Sequence, residues 1–213
     1  MKKQYEKETG LINCTMNMTM KKLYNILAIM GPSGSGKDSL VKEVLKQNPD
    51  GFHKIIHTTT RPMREGEVNG VDYFFVSPEE FAEQVINFEL IEATSFNDWF
   101  YGTNKMYLSQ DKLNIGVFNP EAIEALLESP MINLMVIELA ASDKTRLLRQ
   151  LNREENPDVH EIIRRFKTDE EDFADLDFHH NYLVNNTAED LENCVNIIEA
   201  IAKILEAELR QNP

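Results

Sequence analysis

A glycine-rich segment that follows a short apolar run constrains this chain more than any other feature. The apolar run ends at Met30, the segment reads GPSGSGK, and helical periodicity starts at Ser39. Glycines at this spacing let backbone N–H groups turn toward one centre, and the Lys37 ammonium and the helix N-terminus add positive charge there. The pattern predicts a strand, a phosphate-binding loop and a helix, and it favours a nucleoside triphosphate as ligand. The expected ATP-binding residues in this segment are Gly31, Pro32, Ser33, Gly34, Ser35, Gly36, Lys37, Asp38 and Ser39.

Asp38 departs from the usual pattern of such loops. It stands where a Ser or Thr hydroxyl commonly meets Mg²⁺. A carboxylate can ligate the cation, since hard cations prefer oxygen, or it can repel the polyphosphate and weaken binding. Both alternatives stay open on the sequence alone. We treat Asp38 as the candidate metal ligand and expect Mg²⁺ to accompany ATP.

The rest of the chain alternates short apolar runs with helical patterns. Strands are expected at about 23–30, 55–60, 73–76, 90–94, 115–118, 134–139 and 182–185. Helix starts are predicted at Ser77-Pro78, Asn119-Pro120 and Ser142-Asp143, and a long helix over about 188–210. Such alternation predicts an α/β fold, namely a doubly wound parallel sheet of the P-loop type with an acceptor-binding insertion and a short lid.

The predicted organisation is one domain after a polar N-terminal extension. The extension covers residues 1–19, where we expect disorder, and the domain covers residues 20–213. Within the domain, residues 20–53 and 106–213 form the predicted core, residues 54–105 the acceptor-binding insertion, and residues from about 149 to 165 the lid.

The composition excludes several classes of protein. A formal net charge of -14 argues against a protein that coats DNA, RNA or anionic lipid. The cysteines, Cys14 and Cys194, are too few and too far apart for a disulfide framework or a metal knuckle. No apolar stretch approaches membrane-spanning length, and the N-terminus does not lead into an apolar run. We expect a cytoplasmic protein without nucleic-acid or membrane partners.

A second informative segment runs from Thr58 to Val76 and reads TTTRPMREGEVNGVDYFFV. Together with the glycine-rich loop it resembles the guanylate kinase family, whose acceptor site uses a T-T-R-x-x-R-x-G-E-x-x-G-x-D-Y segment. The resemblance continues through Glu92 and the FYGT segment at 100–103, and more loosely to Asn185. It covers the chain from Leu23 to about 199.

The resemblance implies transfer of the γ-phosphoryl group of ATP to GMP, with dGMP as a further acceptor. Two arginines three residues apart can fork onto one phosphate, and tyrosine hydroxyls add donors. A carboxylate beside a hydroxyl can read the guanine edge, which presents two N–H donors next to an oxygen acceptor. The family positions for GMP binding fall on Thr58, Arg61, Arg64, Glu67, Tyr73, Glu92, Tyr101, Thr103 and Asn119, and Asn185 joins the ATP-binding residues.

Arginines of the predicted lid resemble those that close over the transferring phosphoryl group in this family. Guanidinium groups stabilise the negative charge that spreads over the phosphoryl oxygens in the transition state. The expected catalytic residues are Lys37, Arg149, Arg153 and Arg165. Arg164 remains an alternative to Arg165, because the segment 154–157 is one residue longer than in the family pattern and lacks its R-G pair.

Other functions stay open at this stage. Val117-Phe118-Asn119 stands where the family usually has D-x-D, which weakens the prediction of base specificity. The GPSGSGKDSL string also resembles ribose 1,5-bisphosphate phosphokinase, although Arg64, Glu67 and Glu92 favour a nucleotide acceptor. A guanylate-kinase-like binding module without activity is a third alternative, and the intact Lys37 speaks against it.

Overall fold

The structure is a computed structural model, and it describes residues 23–96, 98–153 and 155–211. The strands are β1 (Tyr24–Met30), β2 (Phe52–Lys54), β3 (Thr58–Thr59), β4 (Phe74–Phe75), β5 (Leu90–Phe96), β6 (Trp99–Asn104), β7 (Leu113–Val117), β8 (Ile132–Ala140) and β9 (Asn181–Val184). The helices are α1 (Lys37–Gln47), α2 (Pro78–Ile86), α3 (Pro120–Glu128), α4 (Asp143–Leu151), α5 (Val159–Asp172) and α6 (Ala188–Gln211).

Five strands form a parallel sheet in the order β2-β7-β1-β8-β9. The central strand β1 is apolar on both faces, because Leu27 and Ile29 pack with α1 and α6 while Ile26 and Ala28 pack with α3. Helices on both faces of a parallel sheet confirm the predicted α/β doubly wound fold. The loops after β1, β7 and β9 leave from the carboxyl end of this sheet, where open α/β folds bind their ligands.

A second, mixed sheet is built entirely from the segment between Thr58 and Asn104, in the order β4-β3-β6-β5. Strand β3 pairs with β4 in parallel and with β6 in antiparallel orientation, and β5 pairs with β6. This sheet lies within the stretch where we predicted the acceptor-binding insertion. The bounds of the insertion, core and lid remain predictions.

The strand predicted at about 55–60 is wrong, because its two halves pair with different sheets. The main-sheet strand β2 ends at Lys54, and the Ile55 N–H still donates to the Ile115 carbonyl oxygen. The chain then crosses to the second sheet, where only Thr58 and Thr59 form a strand. The β-branched residues on both sides of His57 do not reveal such a change of partner.

The predicted helix starts at Ser77, Asn119 and Ser142 are confirmed by their capping hydrogen bonds. Ser77 forms a reciprocal capping box with Glu80, and the Asn119 and Ser142 side chains each accept a hydrogen bond from a first-turn N–H. These caps satisfy donors that a helix cannot satisfy internally. They fix the points at which the chain turns from a sheet edge into a helix.

The predicted N-terminal extension, residues 1–19, lies outside the described residues. Within the part of the chain that the structure describes, the helices are too short or too polar to cross a membrane.

Candidate active site

The phosphate loop connects β1 to α1 and closes over the Lys37 side chain. Lys37 Nζ donates hydrogen bonds to the carbonyl oxygens of Gly31 and Pro32, the latter at 3.2 Å. Burial lowers the pKa of Lys37, while the nearby charges of Asp38 and Asp169 act in the opposite direction. The loop therefore encloses the Lys37 amino group with its own carbonyl groups.

Gly36 shows why this turn requires glycine. Its φ angle is 99°, in the left-handed region, and a Cβ atom there would lie 2.5 Å from Nδ2 of Asn185. Asn185 is buried and donates from Nδ2 to the Ser35 carbonyl oxygen at 2.8 Å. The first residue after β9 is thus bound to the loop, and its contact with the donor nucleotide stays a prediction.

A cavity of about 650 Å³ opens beside the loop, and we call it the loop cavity. Arg149 crosses one wall and donates from Nη1 to the Ser35 carbonyl oxygen at 2.9 Å. The loop cavity is lined by these residues predicted for the donor site: Ser33, Gly34, Gly36, Lys37, Asp38, Ser39, Arg149, Arg153, Arg165 and Asn185. These ten residues thus converge on one space, whereas Gly31, Pro32 and Ser35, also predicted for ATP binding, are not part of its lining.

The choice between Arg164 and Arg165 has a structural counterpart. Arg165 lines the loop cavity, whereas the Arg164 guanidinium lies over the Phe96 ring at 5.7 Å. Both arginines donate hydrogen bonds to Glu161. These bonds lower the pKa of Glu161 to about 2, and the bond from Arg164 has the larger effect. Two arginines on successive positions of α5 thus face different parts of the molecule.

A second space, which we call the cleft, has a volume of about 320 Å³ and lies between the main sheet and the second sheet. Ser33 and Lys37 line both the cleft and the loop cavity. Of the predicted acceptor-site residues, the cleft is lined by Tyr73, Glu92, Tyr101 and Asn119. The two spaces share one wall, and that wall is the phosphate loop.

Glu92 is the most unusual group of the cleft. It is 6% exposed, and its Oε1 accepts a hydrogen bond of 2.6 Å from the Thr103 hydroxyl. Its Oε2 is buried without a hydrogen-bond partner among the described residues. Burial raises the pKa of Glu92 to about 7, and the bond from Thr103 opposes that rise. A buried carboxylate oxygen without a partner is costly unless a ligand supplies donors.

His57 extends this hydrogen-bonded group toward the main sheet. Its Nδ1 lies 2.9 Å from the Thr103 hydroxyl oxygen, and its ring packs edge-on against Phe118 with the ring centres 4.9 Å apart. Burial lowers the pKa of His57 to about 4. A neutral imidazole therefore lies next to the Thr103 and Glu92 pair at neutral pH.

The other predicted acceptor-site residues lie behind or beside the cleft wall. Arg61 is buried and forms a two-fold hydrogen bond with Glu67 at 2.8 and 3.0 Å, and its guanidinium lies 5.3 Å from the Tyr73 ring centre. Glu67 also accepts from the Arg64 backbone N–H at 2.7 Å, and the hydrogen bond from Arg61 lowers the pKa of Glu67. Thr58 is fully buried in β3, whereas Arg64 is exposed. Glu67 therefore orients Arg61 instead of lining the cleft.

Comparison with known proteins identifies this arrangement. The family model described as guanylate kinase matches residues 24–208. This chain belongs to the guanylate kinase family. Guanylate kinase of Mycoplasma mycoides subsp. mycoides SC is 35% identical over 191 residues, which cover 86% of this chain and 61% of that protein. Guanylate kinase of Carboxydothermus hydrogenoformans is 29% identical, with coverage of 83% and 86%.

The likeness to solved structures supports the same fold. The crystal structure of guanylate kinase from Anaplasma phagocytophilum matches with a TM-score of 0.63 at 21% identity, covering 88% of this chain and 89% of that one. The chain spans about three-fifths of the length of the Mycoplasma guanylate kinases that it matches, at 61%.

Within the guanylate kinase family pattern, the departures at Val117 and Asn119 have clear structural positions. Both residues line the cleft at the end of β7. Asn119 Oδ1 accepts a hydrogen bond of 2.9 Å from the Ala122 N–H and so caps α3. The Asn119 oxygen is thus engaged in the helix cap and Val117 offers no polar group, while Glu92, Asp169 and Asp172 are acidic residues that line the cleft.

Residues of this guanylate kinase-type site that were not predicted from the sequence include His57, Arg146 and Asp169. Asp169 lines the cleft, and Arg146 donates a hydrogen bond to Asp169 across 23 positions of the chain. His57 precedes the T-T-R segment and could have been suspected from that position. Nothing in the spacing of Arg146 and Asp169 signals that two helices bring them together.

Proposed function

We propose that this chain transfers the γ-phosphoryl group of ATP to GMP, and to dGMP as a further acceptor. The observation that carries the proposal is Oε2 of Glu92, which has no hydrogen-bond partner within the described part of the chain and is buried in a cleft that shares Ser33 and Lys37 with the loop cavity. Guanine presents two adjacent N–H donors, and a carboxylate with one free oxygen is the acceptor that they need. Membership of the guanylate kinase family supports the same substrate pair.

The phosphate of GMP would be held at the other end of the cleft. Tyr73 and Tyr101 line it with their rings 6.2 Å apart, and each offers a hydroxyl donor. Arg61 stacks behind Tyr73, where its positive charge favours an anion, and Arg64 is exposed on the same loop. In this proposal the acceptor lies with its base at Glu92 and its phosphate toward the phosphate loop.

On the donor side, the loop and the arginines would hold the triphosphate. Backbone N–H groups and Lys37 bind its phosphates, and Arg149, Arg153 and Arg165 stabilise charge on the phosphoryl group during transfer. Asp38 and Ser39 bring oxygen atoms to the wall of the loop cavity, a donor set that suits Mg²⁺. When bound, the cation would neutralise charge on the phosphates. We include a cytoplasmic location in the proposal, because ATP and GMP are nucleotides of the cell interior.

An ADP-release assay with a panel of acceptors tests this function. We expect turnover with GMP and dGMP, and little with AMP, CMP, UMP or ribose 1,5-bisphosphate. Preference for ribose 1,5-bisphosphate would replace the proposal by the sugar-phosphate alternative. Absence of turnover with every acceptor would favour the binding module.

Glu92→Gln gives the residue-level test. The substitution keeps the shape but replaces one acceptor oxygen by a donor, so GMP binding should weaken by about a hundredfold while ATP binding changes little. Glu124→Gln is a matched control, because Glu124 is exposed on α3 and does not line the cleft. Equal losses for GMP and ATP in separate titrations would remove Glu92 from the acceptor site.

A further inference from the structure

Ser33 of the phosphate loop is clamped by side chains from two other helices. Asp169 on α5 accepts hydrogen bonds from the Ser33 backbone N–H at 2.9 Å and from its hydroxyl at 3.2 Å. Arg146 on α4 donates from Nε to the Ser33 carbonyl oxygen at 3.0 Å and from Nη2 to Asp169. We call these three residues the Ser33 clamp. Both backbone polar groups of Ser33 are thus bound by groups outside the loop.

The clamp is a buried pair of charges. Arg146 is 6% exposed, its guanidinium lies over the Phe166 ring at 4.3 Å, and the Asp169 side chain is 12% exposed. Burying an ion pair costs desolvation, and an apolar pair of similar volume often gives equal or greater stability. Packing of α4 against α5 alone does not require these charges. Their hydrogen bonds to Ser33 are what an apolar pair could not supply.

The clamp acts at the junction between the two spaces of the site. Ser33 lines both the loop cavity and the cleft, and Asp169 lines the cleft. A phosphoryl group that moves from a donor in the loop cavity to an acceptor in the cleft has to pass this wall. The helices that supply the clamp also carry Arg149 and Arg165.

We propose that Asp169 is a positioning residue for phosphoryl transfer. It holds the part of the phosphate loop around Ser33 in a fixed position relative to Arg149 on α4 and Arg165 on α5. The inference rests on the proposed function. Small displacements of groups around the transferred atom reduce the rate strongly, because alignment is lost. Asp169 acts through Ser33 and not on the phosphoryl group itself, since two anions in contact would repel.

Asp169→Asn and Asp143→Asn form a matched pair of variants. Asp143 accepts a hydrogen bond of 3.0 Å from the same Arg146 guanidinium, but its side chain is 84% exposed and its bond does not involve Ser33. We expect Asp169→Asn to lower kcat at least about tenfold while KM for ATP and for GMP stays within about threefold. Asp143→Asn should leave kcat and KM near those of the wild type.

The double variant Arg146→Met with Asp169→Leu separates positioning from stability. It replaces the buried charges by apolar side chains, so it should unfold at a urea concentration close to that of the wild type. We expect its kcat to remain low, because Ser33 has lost its bonds to Asp169 and Arg146 and retains the longer bond of 3.4 Å from Gln150 Nε2 to its carbonyl oxygen. Recovery of kcat together with stability would overturn the proposal, as would equal losses of kcat in Asp169→Asn and Asp143→Asn.

Amide hydrogen exchange gives a readout that does not depend on turnover. The Ser33 N–H should exchange faster in Asp169→Asn than in Asp143→Asn, since its acceptor has been weakened. Unchanged exchange at Ser33 would also overturn the clamp. If the wild-type protein releases no ADP with any of the acceptors tested, the proposed function is contradicted. Exchange at the Ser33 N–H would still test the clamp in that case.

Discussion

The Thr103 hydroxyl donates a 2.6 Å hydrogen bond to Glu92, and this bond opposes the effect of burial on that carboxyl group. Burial wins, and the pKa of Glu92 is raised to about 7. The cleft therefore holds a carboxyl group that is partly protonated at neutral pH before any ligand arrives. Under the proposed function the guanine donors require the ionised form, so we expect GMP binding and ionisation of Glu92 to be linked.

The first prediction is that GMP affinity rises with pH through about 7. With a pKa near 7, about a tenth of the Glu92 groups are ionised at pH 6 and about nine tenths at pH 8, so the Kd should improve about tenfold over this range. Isothermal titration of GMP at each pH measures this. Glu92→Gln is the control for titration of the GMP phosphate itself, and an identical pH dependence in that variant would contradict the prediction.

Thr103→Val should move this pH profile upward. The substitution removes the hydrogen bond that favours the ionised carboxyl group, so the pKa of Glu92 should rise further and the midpoint of the GMP profile should shift to higher pH. Thr103→Ser retains the hydroxyl and serves as the matched control. The same midpoint in both variants would show that the hydroxyl does not set the ionisation of Glu92.

The same carboxyl group should affect stability with a defined sign. Between pH 4.5 and about 7, unfolded chains carry Glu92 ionised and folded chains carry it protonated, so its contribution to the free energy of unfolding falls as pH rises. Glu92→Gln should gain stability relative to the wild type across this window, by up to about 3 kcal/mol. Urea unfolding at pH 4.5, 5.5, 6.5 and 7.5 measures the difference, and a constant difference would refute the assignment.

His57 changes the free energy of unfolding with pH in the direction opposite to Glu92. Its pKa is lowered to about 4, so unfolded chains bind a proton below about pH 6.5 that folded chains do not. Its contribution to stability is therefore lost as pH falls from about 6.5 to about 4. The effects of His57 and Glu92 partly cancel in the wild type, which is why the Glu92→Gln comparison is needed to separate them.

Lys37→Ala should reduce phosphoryl transfer by several orders of magnitude and leave the fold intact. The substitution removes the amino group that the phosphate loop encloses and that, in the proposed function, binds the phosphates. Lys42→Ala is the matched control, because Lys42 lies on the same helix α1 but is exposed. Circular dichroism checks folding and the ADP-release assay checks the rate. Turnover near that of the wild type in a folded variant would contradict a kinase mechanism at this loop.

Asp38→Ser should make ATP affinity less dependent on Mg²⁺. Asp38 is exposed at the wall of the loop cavity. The pKa of Tyr73 is raised mainly by the burial of Tyr73 itself, and the charge of Asp38 adds to that rise. A bare carboxylate near a polyphosphate is unfavourable unless a cation lies between them. Titration of ATP with and without Mg²⁺ measures the effect in both forms. Equal metal dependence would mean that Asp38 faces away from the polyphosphate.

The predicted fold followed from local patterns that act within one turn or one strand. The glycine spacing before Lys37 and the caps at Ser77, Asn119 and Ser142 specify their structures through neighbouring residues. These features locate the starts of α1, α2, α3 and α4. Strand β6 was not predicted, because its stabilising partners are β3 and β5 and not its own sequence pattern.

In the candidate site, too, some residues were predicted from the sequence and others depend on contacts between distant segments. Glu92 and Tyr73 were predicted from their family positions, and both line the cleft. Glu67 was expected to bind GMP, but in the structure it pairs with Arg61, and its direct contact with GMP stays a prediction. Asp169 had no local signal, because its importance depends on how α5 packs beside the phosphate loop. Contacts between distant segments decide these roles, and a single sequence does not display them.

The shared wall formed by Ser33 and Lys37 has a consequence for inhibitor chemistry. Because the loop cavity and the cleft meet at these two residues, one molecule with a base at each end and a bridge of phosphates between them could occupy both spaces at once. Binding of its first half would hold the second half at a high effective concentration, so its affinity should exceed that of either nucleotide alone. Selectivity would then come from the end that meets Glu92, and tight binding from the bridge that passes Lys37.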